Sequence, residues 1–288
     1  MELRPVADVE LKEVLGPINR AASGRTAPGM LPLVHSAAQL RERAALGVLD
    51  LKLSRALLLG GGIAGACLVE RVGDQAHLDV LGVDPLAQQR GGGRALCEEV
   101  VAAAAAAGVR RLSAFCSDFD AQLLPILQAV GFVRVREVAR YTLAPGGPTQ
   151  SLVPTELAAG AEPKDTQAAA QAVPLAEALT FLAAAQAPEA PFGQQTEVLR
   201  RLSPKLTAVV LHTPAGIVAA AVADRERRQL LAVGGNGDHA AAPLVALLAA
   251  RYGILAIDAL PVDDPATAAV SAAGFQRASL RVEFQKTL

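Results

Sequence analysis

Apolar and polar positions alternate with period two in short runs and recur every three to four positions in longer ones, and the two rhythms take turns along the chain. Residues 3–6 read as a short strand, and Asp8 can cap a helix running to about Arg20. Ser36 can cap a second helix over 37–46. Residues 55–59 and 63–71 read as two strands joined by the Gly60–Gly61–Gly62 turn, and 77–83 as a third. A helix over 93–107 ends at Gly108, followed by a strand at 111–116 and a helix at 121–130. Gly131 then opens a β-rich segment that reaches Leu143.

The run Ala144, Pro145, Gly146, Gly147, Pro148, Thr149 breaks both rhythms and predicts a linker. Beyond it, 158–190 is rich in Ala, Pro and Gln, with helices predicted at 174–185 and 196–202. Strands at 206–211 and 217–223 flank the turn Thr213, Pro214, Ala215, Gly216. A strand at 228–233, a helix at 238–251, a strand at 254–259 and a helix at 265–273 follow, and Gly274 opens a β-rich tail.

The two halves share one order: hairpin, strand, helix, strand, helix, then Gly-Phe and a β segment. Gly131-Phe132 and Gly274-Phe275 are the anchors, with Arg134 and Arg277 in register behind them. This predicts an internal duplication, with domains at 1–143 and 152–288 and a linker at 144–151. The alternative is two unrelated α/β halves whose Gly-Phe pairs coincide.

A length of 288 residues is enough for two domains, and 52% hydrophobic with 19% charged residues argues against extensive disorder. The formal net charge of −1 gives no reason to expect duplex DNA or an anionic membrane as partner. The longest apolar stretch, 56–69, is interrupted by glycines and too short for a membrane helix. No apolar segment follows Met1, Glu2, Leu3, Arg4, so no secretory signal is expected. Cys67, Cys97 and Cys116 are dispersed and lack metal or disulfide spacing, which points to reduced thiols in the cytoplasm and no metal.

The segment Val83, Asp84, Pro85, Leu86, Ala87, Gln88, Gln89, Arg90, Gly91, Gly92, Gly93, Arg94 carries the most specific chemistry. A strand ends and three glycines open a helix, so that backbone N–H groups point into one concavity. The helix N-terminus, Arg90 and Arg94 add positive charge, which suits a pyrophosphate. No Gly-Lys-Ser/Thr follows, which excludes a P-loop, and the glycine spacing is wrong for a dinucleotide fold.

The pattern Val83-x-Pro85-x-x-Gln88-x-x-Gly91-x-Gly93-x-x-Leu96 resembles the acetyl-CoA motif of the GNAT superfamily of N-acyltransferases. The resemblance covers residues 1–143 and implies two tandem GNAT-like α/β domains, each a mixed, mostly antiparallel sheet flanked by helices. The second copy is degenerate, with Val233, Gly234, Gly235, Asn236, Gly237, Asp238, His239 where the motif would stand. The resemblance further implies that backbone N–H groups across Gln88, Gln89, Arg90, Gly91, Gly92, Gly93 and Arg94 hold the CoA pyrophosphate. Leu81, Gly82 and Val83 would pair with the pantetheine arm and offer an N–H to the thioester carbonyl. Transfer to an amine would be direct, in a ternary complex. The acceptor would be a small molecule or peptide, and no cysteine nucleophile would be needed. The alternative is a CoA-binding or interaction protein without turnover.

Many members of that family carry a Glu at the place of His77, which the resemblance makes the candidate base; strict alternation would set it on one strand face with Asp79, Leu81 and Val83. His77 is otherwise a hydrogen-bonded rim residue, and Asp79 is the second candidate. Leu127 stands where the family often has a Tyr acid, leaving either no acid or a substitute such as Tyr141 or Ser117. Asp120 stands where the family often has an Asn that contacts CoA.

Overall fold

The computed structural model describes residues 1–25, 35–117, 120–143, 169–185, 190–237 and 240–288. In chain order the elements are β1 (Glu2–Pro5), α1 (Leu11–Arg25), α2 (Ala37–Ala45), β2 (Arg55–Leu59), β3 (Gly62–Val72), β4 (Gln75–Val83), α3 (Gly92–Ala106), β5 (Arg111–Cys116), α4 (Leu123–Ala129) and β6 (Val133–Leu143). They continue with β7 (Ala169–Val173), α5 (Leu175–Ala185), α6 (Thr196–Arg201), β8 (Leu206–Thr213), β9 (Gly216–Asp224), β10 (Gln229–Gly235), α7 (Ala242–Tyr252), β11 (Ala256–Pro261), α8 (Ala266–Ala272) and β12 (Phe275–Thr287). Ser36 caps α2 through a reciprocal capping box with Gln39. Asp8 instead ends a single 3-10 turn, Val6–Asp8, and α1 begins at Leu11.

The chain folds as two compact units that do not follow the halves of the sequence. The first comprises Met1–Arg136 together with Arg281–Leu288; the second is Glu137–Leu280. Each unit is therefore closed by a strand from the other half. The expected cut at 143 and 152 misses this exchange, and the predicted linker lies outside the described residues.

In the first unit β1, β2, β3 and β4 pair antiparallel in sequence order, and β4 pairs parallel with β5. The far side of β5 is covered antiparallel by the end of β12, from Val282↔Cys116 to Thr287↔Arg111. Helices cover both faces, which is why β2 is buried along nearly its whole length. Leu57, Leu78, Leu96, Leu112, Leu127 and Phe284 share a core beneath α3. On the other face Val14, Ile18 and Leu40 pack against Ala56 and Leu68. Glu283 is 1% exposed and accepts a hydrogen bond from Arg136 Nε at 2.6 Å.

The second unit repeats the plan. β7, β8, β9 and β10 pair antiparallel, β10 pairs parallel with β11, and β11 pairs antiparallel with the end of β6. Its core gathers Leu244, Leu248, Ile257, Val270 and Phe275. Gly131 and Gly274 both adopt φ of +89°, a left-handed conformation that lets each helix turn sharply into its last strand.

Candidate functional site

Strands β4 and β5 of the first unit run together only at one end. Their ladder covers Gln75↔Arg111 to Leu78↔Ala114, although β4 continues to Val83 and β5 to Cys116. The parting coincides with an irregularity on the other side of β4. Leu68 faces Val80 and Val69 faces Leu78, so Asp79 is an extra residue in the strand. Such a bulge bends its strand and increases the local twist.

The bulge also overturns the expected alternation. Ala76, Leu78, Leu81 and Val83 all belong to the core beneath α3. His77 contacts Ser113 and Phe115, which alternate with the core residues Leu112, Ala114 and Cys116 on β5. His77 and Leu81 are thus on opposite faces, because the extra residue shifts the period-two pattern by one.

Past Val83 the chain makes a short 3-10 turn over Pro85–Ala87, capped by Asp84, whose Oδ1 accepts from Leu86 N at 3.0 Å. Asp84 also accepts from Arg20 Nε of α1 at 2.8 Å. The Leu86 backbone bond first, then Arg20, hold its carboxyl below the ordinary value. Gln88 Nε2 donates to Val83 O at 2.9 Å, and Gln122 Nε2 donates to Gln88 Oε1 at 3.3 Å, so the loop is tied both to the strand it leaves and to the start of α4. Gln89 has φ of +62°.

Gly91 is the N-cap of α3, with φ of +78° and no side-chain cap. Nothing in its side chain can satisfy the first N–H groups of the helix, which leaves that turn suited to an outside anion. The next two glycines have a different reason. A Cβ on Gly92 would meet Leu57 Cδ2 at 2.6 Å, and one on Gly93 would meet Ile126 Cδ1 at 3.0 Å. Small residues there let α3 sit close on β2 and α4.

His77 is 6% exposed and its Nδ1 lies 2.9 Å from Ser113 Oγ. Ser113 Oγ donates to Ala76 O at 3.3 Å, so its hydroxyl proton is engaged and its oxygen accepts from His77 Nδ1–H. That assignment leaves the lone pair on Nε2. Burial first, with Arg281 and Arg43 adding and Asp79 opposing, lowers the imidazole to about 4. Arg43 bridges Glu70 and Asp79, reaching the latter at 2.9 Å. Burial alone would raise the Asp79 carboxyl; Arg43, then His35 and His77, hold it below its usual range.

The buried imidazole has a consequence for stability. Between pH 6.5 and about 4 the unfolded chain takes up a proton that the folded chain refuses, so stability falls as pH falls. The expected loss from pH 7 to pH 5 is roughly 2 kcal/mol. Asp79, depressed in the folded state, acts below its unfolded pKa of about 4, outside that interval. Urea unfolding midpoints should show the loss in the wild type and not in His77→Gln; an equal slope in both would count against it.

The other candidates fall elsewhere. Leu127 is 0% exposed, in the core. Tyr141 is buried in the second unit opposite Ile257. Ser117 is half-buried; its backbone O accepts from Asp120 N at 2.9 Å, and Asp120 Oδ1 accepts from Leu123 N at 2.9 Å at the start of α4. All three cysteines are buried; burial raises Cys67 well above its ordinary value and Cys97 to about 12. Among the described residues no group of His, Cys, Asp and Glu is arranged to hold a metal, and no helix is long and apolar enough to cross a membrane.

The corresponding loop of the second unit is built differently. It leaves its strand in the same way, with Asn236 N donating to Val218 O as Asp84 N does to Ala64 O; the difference lies at the helix, where α7 begins at Ala242, and Asp238 and His239 lie outside the described residues. Pro243 stands in the first turn of α7 and removes an N–H from the place where an anion would need it.

Residues 40–132 match the model of the acetyltransferase (GNAT) family. No curated protein matches the chain in sequence. Among solved structures, a tandem GNAT protein from the clavulanic acid biosynthesis pathway superposes with TM-score 0.67 at 17% identity, covering 99% of this chain and 98% of its own. A GCN5-related N-acetyltransferase from Sphaerobacter thermophilus gives 0.66 at 17% identity, covering 95% and 91%. A putative acetyltransferase from Pyrococcus horikoshii gives 0.64 at 13%, covering 96% and 85%. At these identities the likeness is one of fold.

Proposed function

For a chain that carries a GNAT acetyltransferase domain over residues 40–132 and has the fold of tandem GNAT proteins, we propose that the first unit is an acetyl-CoA-dependent N-acetyltransferase. The observation that carries this reading is the uncapped, glycine-built start of α3 beside a β4 that has parted from β5. Backbone N–H groups from Gln88 to Arg94 would hold the pyrophosphate, with Arg90 and Arg94 screening its charge. The β4 end at Leu81, Gly82 and Val83 would align the pantetheine arm.

Acetyl-CoA supplies the activated acyl group as a thioester. What the chain adds is placement and charge. An N–H of the β4 end would stabilise the negative charge that grows on the acyl oxygen as the amine attacks. His77 would receive the amine proton on Nε2, directly or through a water; neutral above about 4, its imidazole keeps the lone pair available but is a weak base, so it would pass the proton on to water rather than hold it. With Leu127 in the core, no side chain at that position can protonate the departing sulfur. A thiol's ordinary pKa of about 8.5 makes the thiolate a tolerable leaving group without help. Transfer would be direct, to a small-molecule or peptide amine, in the cytoplasm and without a metal. The second unit, with Pro243 in its loop, would bind no CoA.

Leu127 also favours a second reading, a CoA-binding protein without turnover. The two are separated by incubating the full chain with acetyl-CoA and a panel of amines, reading free thiol, and titrating acetyl-CoA by calorimetry. The expected result is amine-dependent thiol release and one acetyl-CoA per chain. Binding without release supports the second reading, and two sites per chain would show that the second unit binds as well.

A further inference from the structure

Three side chains from three strands of the first unit meet on the sheet face opposite α3. The rings of His77 on β4 and Phe115 on β5 lie 4.7 Å apart, tilted by 55°. The guanidinium carbon of Arg281, on β12, lies 5.1 Å from the Phe115 centroid. Ser113, two residues before Phe115 and therefore on the same face, holds the imidazole by Nδ1. Arg281 is the first residue of the segment that crosses back to the first unit. Its neighbour Val282 belongs to the core beneath α3, so alternation turns Arg281 the other way, towards Phe115.

We propose that Arg281 is a positioning residue for His77: through Phe115 it fixes the tilt of the imidazole, and as a permanent cation nearby it keeps the ring from being protonated before the acceptor amine arrives. This rests on the role of His77 proposed above and extends it to the last strand of the chain. Other charges of both signs surround the imidazole. Glu70 lies directly across on β3 and Asp79 lies on the same strand, but Arg43 of α2 is paired with both, and His35, just before α2, acts on Asp79. Burial does most to disfavour a protonated ring; Asp79 opposes it, and Arg281 is the foremost cation that reinforces it. A guanidinium over an aromatic face is held there by the quadrupole of the ring. The depressed pKa of His77, to which Arg281 contributes, agrees with this.

The test uses the full chain labelled with carbon-13 at histidine Cε1, with the His77 resonance identified by its loss in His77→Gln. In the wild type that resonance should stay at its neutral position from pH 8 down to about 5. Arg281→Gln should raise its midpoint by about one pH unit, and Arg281→Lys, which keeps the charge, should stay close to the wild type. An unchanged midpoint in Arg281→Gln overturns the proposal whatever the turnover. If Arg281→Gln does not fold, Arg281→Met, which keeps the length of the side chain and removes its charge, is read instead: a raised midpoint is expected, and an unchanged one overturns the proposal. Turnover is measured on the same proteins. Thiol release unchanged in His77→Gln, beside a raised midpoint in Arg281→Gln, would remove His77 from the reaction and keep the link between Arg281 and His77, so the two claims fail separately.

Discussion

Ending the chain at Leu280 is expected to unfold the first unit, although the cut lies far along the sequence from nearly all of that unit. The missing residues 281–288 supply the strand that covers β5. Val282 and Phe284 leave the core beneath α3, at about 1.5–3 kcal/mol each. Arg136 loses Glu283 and is left as a partly buried charge without that partner, a loss of the class that costs about 3–5 kcal/mol. Together these are comparable to the whole stability of a domain, about 5–15 kcal/mol. Circular dichroism and limited proteolysis should find residues 1–136 unfolded and acetyl-CoA binding gone. A truncated protein that kept its helix content and its proteolytic resistance in that region would contradict the exchange of strands. For the same reason residues 1–143, expressed by themselves, are not expected to fold.

The second large effect is expected at Gly91. A Cβ there meets no atom within 4 Å, so Gly91→Ala has only the left-handed backbone to oppose it, roughly 1 kcal/mol. Gly91→Glu has the same backbone cost and adds a carboxylate at the start of α3. Close to a pyrophosphate that charge should reduce acetyl-CoA affinity by at least about 100-fold, since near ~4 Å a pair of like charges costs several kcal/mol at a protein surface. The difference between the two variants isolates the charge from the backbone. Calorimetry should find Ala binding within about tenfold of the wild type and Glu hardly binding, with both folded. Equal affinities for Ala and Glu would move the anion site away from this loop.

These two results draw on features of very different legibility. The loop before α3 is readable because its causes are local: three consecutive glycines, a strand before them and a helix after them say nearly everything about where backbone donors point. Ser36 and Gln39 are readable in the same way, since a capping box is complete within four residues. The bulge at Asp79 is not. A strand of alternating character gives no sign of an extra residue, and only the pairing with Leu68 and Val69 reveals it. That single irregularity separates His77 from Leu81 and brings it to Ser113 and Phe115. β7 escapes a reading of the sequence because Ala169, Ala170, Gln171 and Ala172 have little strand propensity; its pairing with β8 makes it a strand. The duplication is visible in the paired Gly-Phe anchors. The exchange is not, because β6 and β12 follow the same local cue and their partners are chosen at long range.

That exchange also sets an order in time. The second unit is one unbroken stretch, Glu137–Leu280, so every residue it needs has been made before the chain is finished. The first unit is made before the second yet lacks the partner of β5 until residues 281–288 emerge from the ribosome. At about 5–20 residues per second, the wait between the synthesis of Arg136 and that of Leu288 is on the order of 10–30 s. During it the edge of β5, with Phe115 and Cys116, is open to other strands. The half of the chain made first is therefore the half completed last, and a chaperone that holds nascent chains would be needed most by residues 111–116.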